Sequence, residues 1–269
     1  MPRLSRLDAE LVRRGYARSR SAAAELIEQQ RVRVNGVVAT KAATQVRLDQ
    51  PVVVSAEDSA QPQYVSRGAH KLLGALSAFE FPVVGRRCLD AGACTGGFTD
   101  VLLRRGAAHV VAVDVGYGQL DWSLRSDPRV TVLERCNVRD LDPGQVGDPV
   151  DLVVADLSFI SLRLVLDALH RCARPRADYV LLVKPQFEVG REQVGARGVV
   201  RDPELRASAV RQVARAAAEL GLGVRGVTAS PLPGPSGNVE YLVWFAERAD
   251  GAGPLREQDL DRAVATGPQ

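Results

Sequence analysis

Lysine is nearly absent from this 269-residue chain: of its 35 basic residues only Lys41, Lys71 and Lys184 are lysines, and the rest are arginines. Arginine stays protonated in proteins, so any work that needs a deprotonated amine is confined to three positions. Long apolar runs are missing as well. No stretch of about 18 apolar residues occurs, which excludes a helical membrane span. The opening Met1-Pro2-Arg3-Leu4-Ser5-Arg6 has no apolar core of a signal peptide, so a cytoplasmic protein is expected. The four cysteines (Cys88, Cys94, Cys136, Cys172) form no Cys-x-x-Cys pair, and the three histidines (His70, His109, His170) are scattered. That pattern gives neither a zinc site nor a disulfide framework, and no metal is expected. What remains is ordinary for a folded protein, with 46% hydrophobic and 25% charged residues. The length fits one large α/β domain plus a small module.

Charge is unevenly spread between these two. Residues 1–47 carry ten basic and four acidic side chains, whereas the remainder is mildly acidic, so the partner of the head is expected to be anionic. Leu7, Leu11 and Val12 recur at helical spacing ahead of Gly15, and Ser19 or Ser21 can cap a second helix carrying Ala22, Ala23, Leu26 and Ile27. Arg31-Val32-Arg33-Val34 then alternates up to an Asn35-Gly36 turn, and Pro51 to Val54 reads as a further strand. In this order the features resemble the RNA-binding domain named after ribosomal protein S-four, over roughly residues 5–57. The resemblance implies binding of structured RNA, with Arg6, Arg14, Arg18, Arg20, Arg31, Arg33 and Lys41 as candidate contacts in the head and Arg67 beyond it. A polar, proline-containing stretch from Ser55 to Gln63 reads as connecting chain. The expected division is a head at 1–60, a linker at 61–65, a catalytic domain at 66–248 and a tail at 249–269 that holds at most one short helix.

Beyond the linker, apolar strands alternate with amphipathic helices. Strands are expected at 87–90, 109–114, 130–133, 151–155, 179–183, 224–228 and 239–245, with helices at about 97–105, 162–172 and 203–220. This is the signature of a mostly parallel sheet covered on both faces. The fold class is therefore α/β, with a Rossmann-like sheet and a small N-terminal α+β domain.

The loop Leu89-Asp90-Ala91-Gly92-Ala93-Cys94-Thr95-Gly96-Gly97-Phe98 lies between a strand and a helix, where glycines permit tight turns and the helix start offers N–H groups to an anion. Such a loop by itself is equally a tight connection, and its glycine spacing is not that of a dinucleotide fold. Asp114 ends the second strand, where an acid can bind both ribose hydroxyls of an adenosine. Together they resemble the cofactor site of class I S-adenosylmethionine methyltransferases. That implies Asp90, Gly92, Thr95, Gly96, Gly97, Phe98 and Asp114 at the cofactor, with Asn137 toward the adenine and Phe159 lining the pocket.

A second group is four charged residues expected near the sheet edge: Lys71, Asp156, Lys184 and Glu240. The motifs V-S-R-G-A-H-K-L, C-L-D-A-G-A-C-T-G-G-F-T, V-D-V-G-Y-G-Q-L, V-V-A-D-L-S-F-I-S-L, V-K-P-Q-F-E-V-G and P-S-G-N-V-E-Y run in order from Val65 to Tyr241. With the head, they closely resemble the TlyA family of ribosomal RNA cytidine 2′-O-methyltransferases, relatives of the FtsJ-like ribose methyltransferases. The resemblance implies that Lys71, Asp156, Lys184 and Glu240 are the catalytic tetrad and S-adenosylmethionine the cofactor. It further implies ribosomal RNA within subunits as the partner; the full-length head and the tail point to both small and large subunits, and a monomer is expected. Lys184 is the candidate base, because a ribose hydroxyl must lose its proton as it attacks. Neighbouring Lys71 would ease that task, and the two acids would oppose it while orienting the amines. Phe187 could stack on an extruded base. Where the family has an interdomain motif with an arginine and a tryptophan, this chain reads Gln61-Pro62-Gln63-Tyr64. Three rivals remain: a membrane-active hemolysin, a pseudouridine synthase with the same kind of head, and a ribosome-binding protein without catalysis.

Overall fold

The structure, a computed structural model, describes residues 4–29, 31–48, 50–54, 64–248 and 251–268. The chain divides into two compact units, Met1–Gln63 and Tyr64–Gln269. The polar stretch 55–63, and with it most of the expected linker, lies outside the described residues.

In the first unit, β1 (Leu4–Arg6) leads into α1 (Leu7–Arg13) and α2 (Arg20–Glu28), followed by β2 (Val32–Val34), β3 (Val37–Val38), β4 (Gln45–Arg47) and β5 (Val52–Val54). Ser19 caps α2, its hydroxyl accepting from the Ala22 N–H at 3.1 Å, an interaction worth about 1 kcal/mol. Asn35 and Gly36 both adopt positive φ (50° and 81°), as a two-residue hairpin between β2 and β3 requires. β5 completes that sheet by pairing with β2, while β1 and β4 form a separate antiparallel pair. Leu7, Leu11, Ala23, Ile27, Val32, Val46 and Val52 make the core.

Two acids are buried beside this core, and both are matched by arginine. Arg6 donates to both oxygens of Asp8 at 3.1 and 2.9 Å, and Arg20 adds a bond at 3.0 Å. Those hydrogen bonds hold the Asp8 carboxyl well below the usual range. Arg13 and Arg14 meet on Glu10, and chiefly the Arg13 bonds draw its carboxyl down to about 2.

The second unit begins with α3 (Ala69–Ala78) and β6 (Arg87–Ala91), then α4 (Gly97–Arg104), β7 (His109–Val113), α5 (Trp122–Arg125) and β8 (Val130–Leu133). It continues through α6 (Pro143–Val146), β9 (Val150–Ala155), α7 (Leu166–Arg171), β10 (Ala173–Val183), α8 (Pro185–Glu188), α9 (Pro203–Glu219), β11 (Leu222–Ala229), β12 (Tyr241–Glu247) and α10 (Glu257–Thr266). Seven strands form one sheet in the order β11-β12-β10-β9-β6-β7-β8. Pairing from β8 through β10 is parallel, and β12 and β11 are added antiparallel. Residues alternate between two cores along each strand. Leu89, Val111, Val153 and Leu181 face α7, α9 and α10, whereas Cys88, Val110, Leu152, Val154 and Val180 face α3 and α4.

This topology decides where a ligand sits. The chain order reverses between β6 and β9, so a crevice opens outside their carboxyl ends. Because β12 runs antiparallel to β10, the residue that precedes β12, Glu240, lies at the same edge as the residues that follow β9 and β10. The last strand accordingly starts at Tyr241 rather than at Val239, since Val239 and Glu240 belong to the turn that delivers the carboxylate to the edge.

Candidate active site

A shallow cleft opens at the carboxyl ends of β6, β7 and β8, lined by Ala93, Cys94, Ala112, Asp114, Gly116, Gln119, Leu120, Val132 and Glu134. Asp114 shapes it from below, accepting from the Cys94 N–H at 2.8 Å and the Gly116 N–H at 2.6 Å, one on each oxygen. A carboxylate oxygen has two acceptor sites, so each retains one for a ligand hydroxyl. Glu134, on the far wall, accepts from the Gly118 N–H at 2.7 Å and pairs with Arg125. Of the residues expected at the cofactor, Asp114 is in this lining, whereas Asp90, Gly92, Thr95, Gly96, Gly97, Phe98, Asn137 and Phe159 are not. The Asn137 side chain instead caps the short 3-10 turn Val138–Asp140, accepting from the Arg139 N–H at 3.1 Å. Phe159 is 91% exposed, in a left-handed conformation (φ 66°), with its ring 5.4 Å from that of Phe187.

Asp90 lies next to this cleft at the end of β6, fully buried. One oxygen accepts from the Thr99 hydroxyl at 2.6 Å, and the other has no partner. Burial pushes its carboxyl up to about 7, against the Thr99 hydrogen bond that favours the ionised form. The N-terminus of α4 above it carries no side-chain cap.

Gly92 and Gly96 adopt positive φ (84° and 98°), as the tight turn expected of this loop requires, and the loop glycines also bring protein segments together. A Cβ on Gly92 would meet the Asp156 carbonyl oxygen at 2.6 Å, and one on Gly97 would meet Ser66 Oγ at 2.5 Å and the Ala69 nitrogen at 2.8 Å. A Cβ on Gly96 would collide with Leu124 and Leu120. Gly92 and Gly97 therefore admit protein: the former the loop that begins with Asp156, the latter the start of α3, two residues before Lys71.

Those two elements meet β10 and β12 at the second constellation. Lys71 Nζ donates to Glu240 Oε2 at 2.8 Å and to Asp156 Oδ2 at 3.3 Å. Lys184 Nζ pairs with the other oxygen of Asp156 at 2.6 Å and donates to Ser158 Oγ at 2.9 Å. All four residues expected as a tetrad are thus joined in one chain, Glu240–Lys71–Asp156–Lys184, with Asp156 standing between the two amines. Burial presses Lys71 toward neutrality, but Asp156 and Glu240 outweigh it, so its pKa is raised and the ammonium persists. Glu240 is completely buried, and its second oxygen has no partner.

Sequence reasoning missed Ser158, Glu134 and the buried Glu188. The only signal for Glu134 was an acid one residue past the end of a strand; for Ser158 there was none, because its role depends on where the Lys184 side chain ends. In the first unit the expected RNA contacts differ in freedom. Arg14 is committed to Glu10 and to the carbonyls of Leu48 and Gln50, at 2.6, 2.8 and 2.9 Å. Arg6 and Arg20 share Asp8, Arg31 donates to Gln29 Oε1 at 3.3 Å, and Arg33 donates to the Gly36 carbonyl at 3.1 Å. Arg6, Arg18, Arg20, Arg33 and Lys41 are exposed, as is Arg67 in the second unit.

Comparison with known proteins places these features among relatives. Residues 64–247 match the FtsJ-like methyltransferase family and residues 5–52 the S4 domain. The 16S/23S rRNA (cytidine-2′-O)-methyltransferase TlyA of Mycobacterium tuberculosis is 62% identical over 270 residues, covering 100% of both chains. The 23S rRNA (cytidine-2′-O)-methyltransferase TlyA of Campylobacter jejuni is 34% identical, covering 68% of this chain and 70% of its own. Among solved structures, a hemolysin-named protein from Streptococcus thermophilus superposes with a TM-score of 0.77 at 35% identity, over 98% of this chain and 95% of that one.

Proposed function

This chain belongs to the FtsJ-like methyltransferase family and, within it, to the TlyA rRNA cytidine 2′-O-methyltransferases, and on that premise we propose that it modifies cytidines of both small and large ribosomal subunits. It is an S-adenosylmethionine-dependent enzyme. The two-subunit reading rests on likeness to the Mycobacterium enzyme, whose name covers 16S and 23S rRNA, over the full length of both chains. The Campylobacter enzyme, named for 23S rRNA alone, is matched over only 68% of this chain.

The residues at the cleft fit the cofactor. Asp90 offers a buried, unpartnered oxygen to an amino group, the uncapped start of α4 suits a carboxylate, and Asp114 keeps acceptor sites for ribose hydroxyls. Thr95 and Phe98 belong to the same loop and helix start. Bound there, S-adenosylmethionine supplies a sulfonium methyl, an electrophile that reacts by in-line displacement.

The protein's task is to align the ribose hydroxyl and take its proton. Lys184 Nζ is assigned as acceptor, because it ends the tetrad chain with one carboxylate partner, whereas Lys71 is held by two. Asp156 orients the Lys184 amine, and the Lys71 ammonium offsets the charge of Asp156 and of buried Glu240. The exposed ring of Phe159 and the half-buried ring of Phe187 stand beside this end and suit a cytosine turned out of its stack. The single observation that carries the reading is the unbroken Glu240–Lys71–Asp156–Lys184 chain beside the cleft.

Arg18, Arg31, Arg33 and Lys41 of the head, with Arg67 of the second unit, are assigned to rRNA phosphates. Arg6, Arg14 and Arg20 combine that role with holding the buried acids. The enzyme is expected to act as a cytoplasmic monomer on assembled subunits. Among the described residues no helix is long and apolar enough to cross a membrane. The test is methylation of separated small and large subunits with labelled S-adenosylmethionine, followed by mapping. Labelled 2′-O-methylcytidine in both is expected; label confined to one subunit would overturn the two-subunit reading.

A further inference from the structure

The loop between β9 and α7 carries three residues of the proposed site, Asp156, Ser158 and Phe159, and one short turn grips it at both ends. That turn is α8, with Lys184 as the residue before it and Glu188 as its last residue. At the near end, Lys184 holds Asp156 at 2.6 Å and Ser158 at 2.9 Å. At the far end, Glu188 Oε2 accepts from the Ser161 hydroxyl at 2.5 Å and Glu188 Oε1 from the Leu162 N–H at 2.7 Å. Arg163 adds bonds to Glu188 Oε2 at 3.3 Å and to the Glu188 carbonyl at 3.1 Å. Between the grips stands Phe159, exposed and at positive φ, a conformation that a bulky side chain keeps only when its surroundings impose it.

We propose that Glu188 is a positioning residue: its buried carboxylate fixes the far end of this loop and so holds Phe159 at the apex and Asp156 against Lys184. The proposal rests on the site assignment above and deepens it. Three features support a dedicated clamp over incidental packing. The side chain is 1% exposed, so its charge must be compensated in place. Both oxygens are directed at the loop. The turn that bears the carboxylate is also the turn that bears the proposed base, so loop and base are registered to each other without an intermediate element. The partners of Glu188 are Ser161, Leu162 and Arg163, none of them assigned to the cofactor, which leaves cofactor binding separable from its effect.

The experiment compares wild type, Glu188→Ala, Glu188→Gln and Ser161→Ala in turnover on ribosomal subunits, in calorimetric binding of S-adenosylmethionine and in thermal unfolding. Glutamine keeps one acceptor oxygen for the loop, whereas alanine keeps none. We expect Glu188→Ala to lower kcat by at least about tenfold while the cofactor Kd stays within about twofold, with Glu188→Gln recovering most of the loss. Ser161→Ala, which removes one arm and leaves the buried carboxylate, shifts kcat in the same direction by less and covers the case in which Glu188→Ala fails to fold. A double-mutant cycle supplies the readout that a merely structural role would not move: in a Phe159→Ala background, Glu188→Ala should cost clearly less than it does alone. Additive losses, or a cofactor Kd that weakens in step with kcat, would overturn the clamp. So would unchanged kcat in both Glu188→Ala and Ser161→Ala. A wild type inactive on subunits would instead strike the site assignment on which the clamp rests.

Discussion

At the scale of single residues, the account turns on which acids are compensated and by what. Asp8, Glu10 and Glu188 are buried with arginine or N–H partners in place, whereas Asp90 keeps one oxygen without a partner. Its carboxyl, raised by burial to about 7, is therefore protonated over a range in which an ordinary aspartate is ionised. Folding favours the neutral form, so this contribution to stability is complete below the ordinary carboxyl range and is lost as pH rises through about 7. Cofactor binding has the opposite sign, because only the carboxylate attracts an amino group. Without cofactor, the thermal midpoint of the wild type is expected to fall relative to Asp90→Asn as pH rises from about 5 to about 8, while wild-type affinity for S-adenosylmethionine increases. Parallel melting curves across that window, or affinity insensitive to pH, would contradict this role for Asp90.

At the scale of elements, the chain disclosed most of its strands and the helices α4, α7 and α9, but concealed the ten-residue α3 and the short β1 and β4. β6, β7 and β9 are apolar runs ended by Asp90, Asp114 and Asp156, and a charge at the end of such a run is visible without a structure. β1 and β4 have three residues each, with one fully buried side chain, Val46, between them, so no alternation marks them. β10 begins at Ala173, six residues ahead of its apolar run, because pairing with β9 is interrupted between Ala173 and Asp178. The four tetrad residues were legible as types at strand ends and in motifs, but their linkage was not. Lys71 reaches Asp156 from 85 positions away and Glu240 from 169, through contacts that depend on Gly97 admitting α3 and Gly92 admitting the Asp156 loop. Ser158 and Glu188 act through side-chain reach across two loops, for which local sequence has no signal.

At the scale of the molecule, basic residues divide by chemistry. Arg6, Arg13 and Arg20 of the first unit hold Asp8 and Glu10 while remaining exposed themselves, so the same side chains serve the fold and present charge at the surface. A chain starting at Tyr64 is expected to bind S-adenosylmethionine as the full chain does. It should bind rRNA more weakly and with a shallower dependence on salt, since fewer counterions are released. Equal RNA affinity and equal salt slope with and without the head would remove the head from recognition. The scarce lysines lie elsewhere: two of three are in the tetrad, Lys71 held by two carboxylates and Lys184, the proposed proton acceptor, by one. The most direct test of this division is methyl transfer to separated ribosomal subunits by Lys184→Ala, measured beside wild type with calorimetric cofactor binding on the same samples. The account predicts that 2′-O-methylcytidine is lost while S-adenosylmethionine still binds; near-normal methylation by the variant would contradict it.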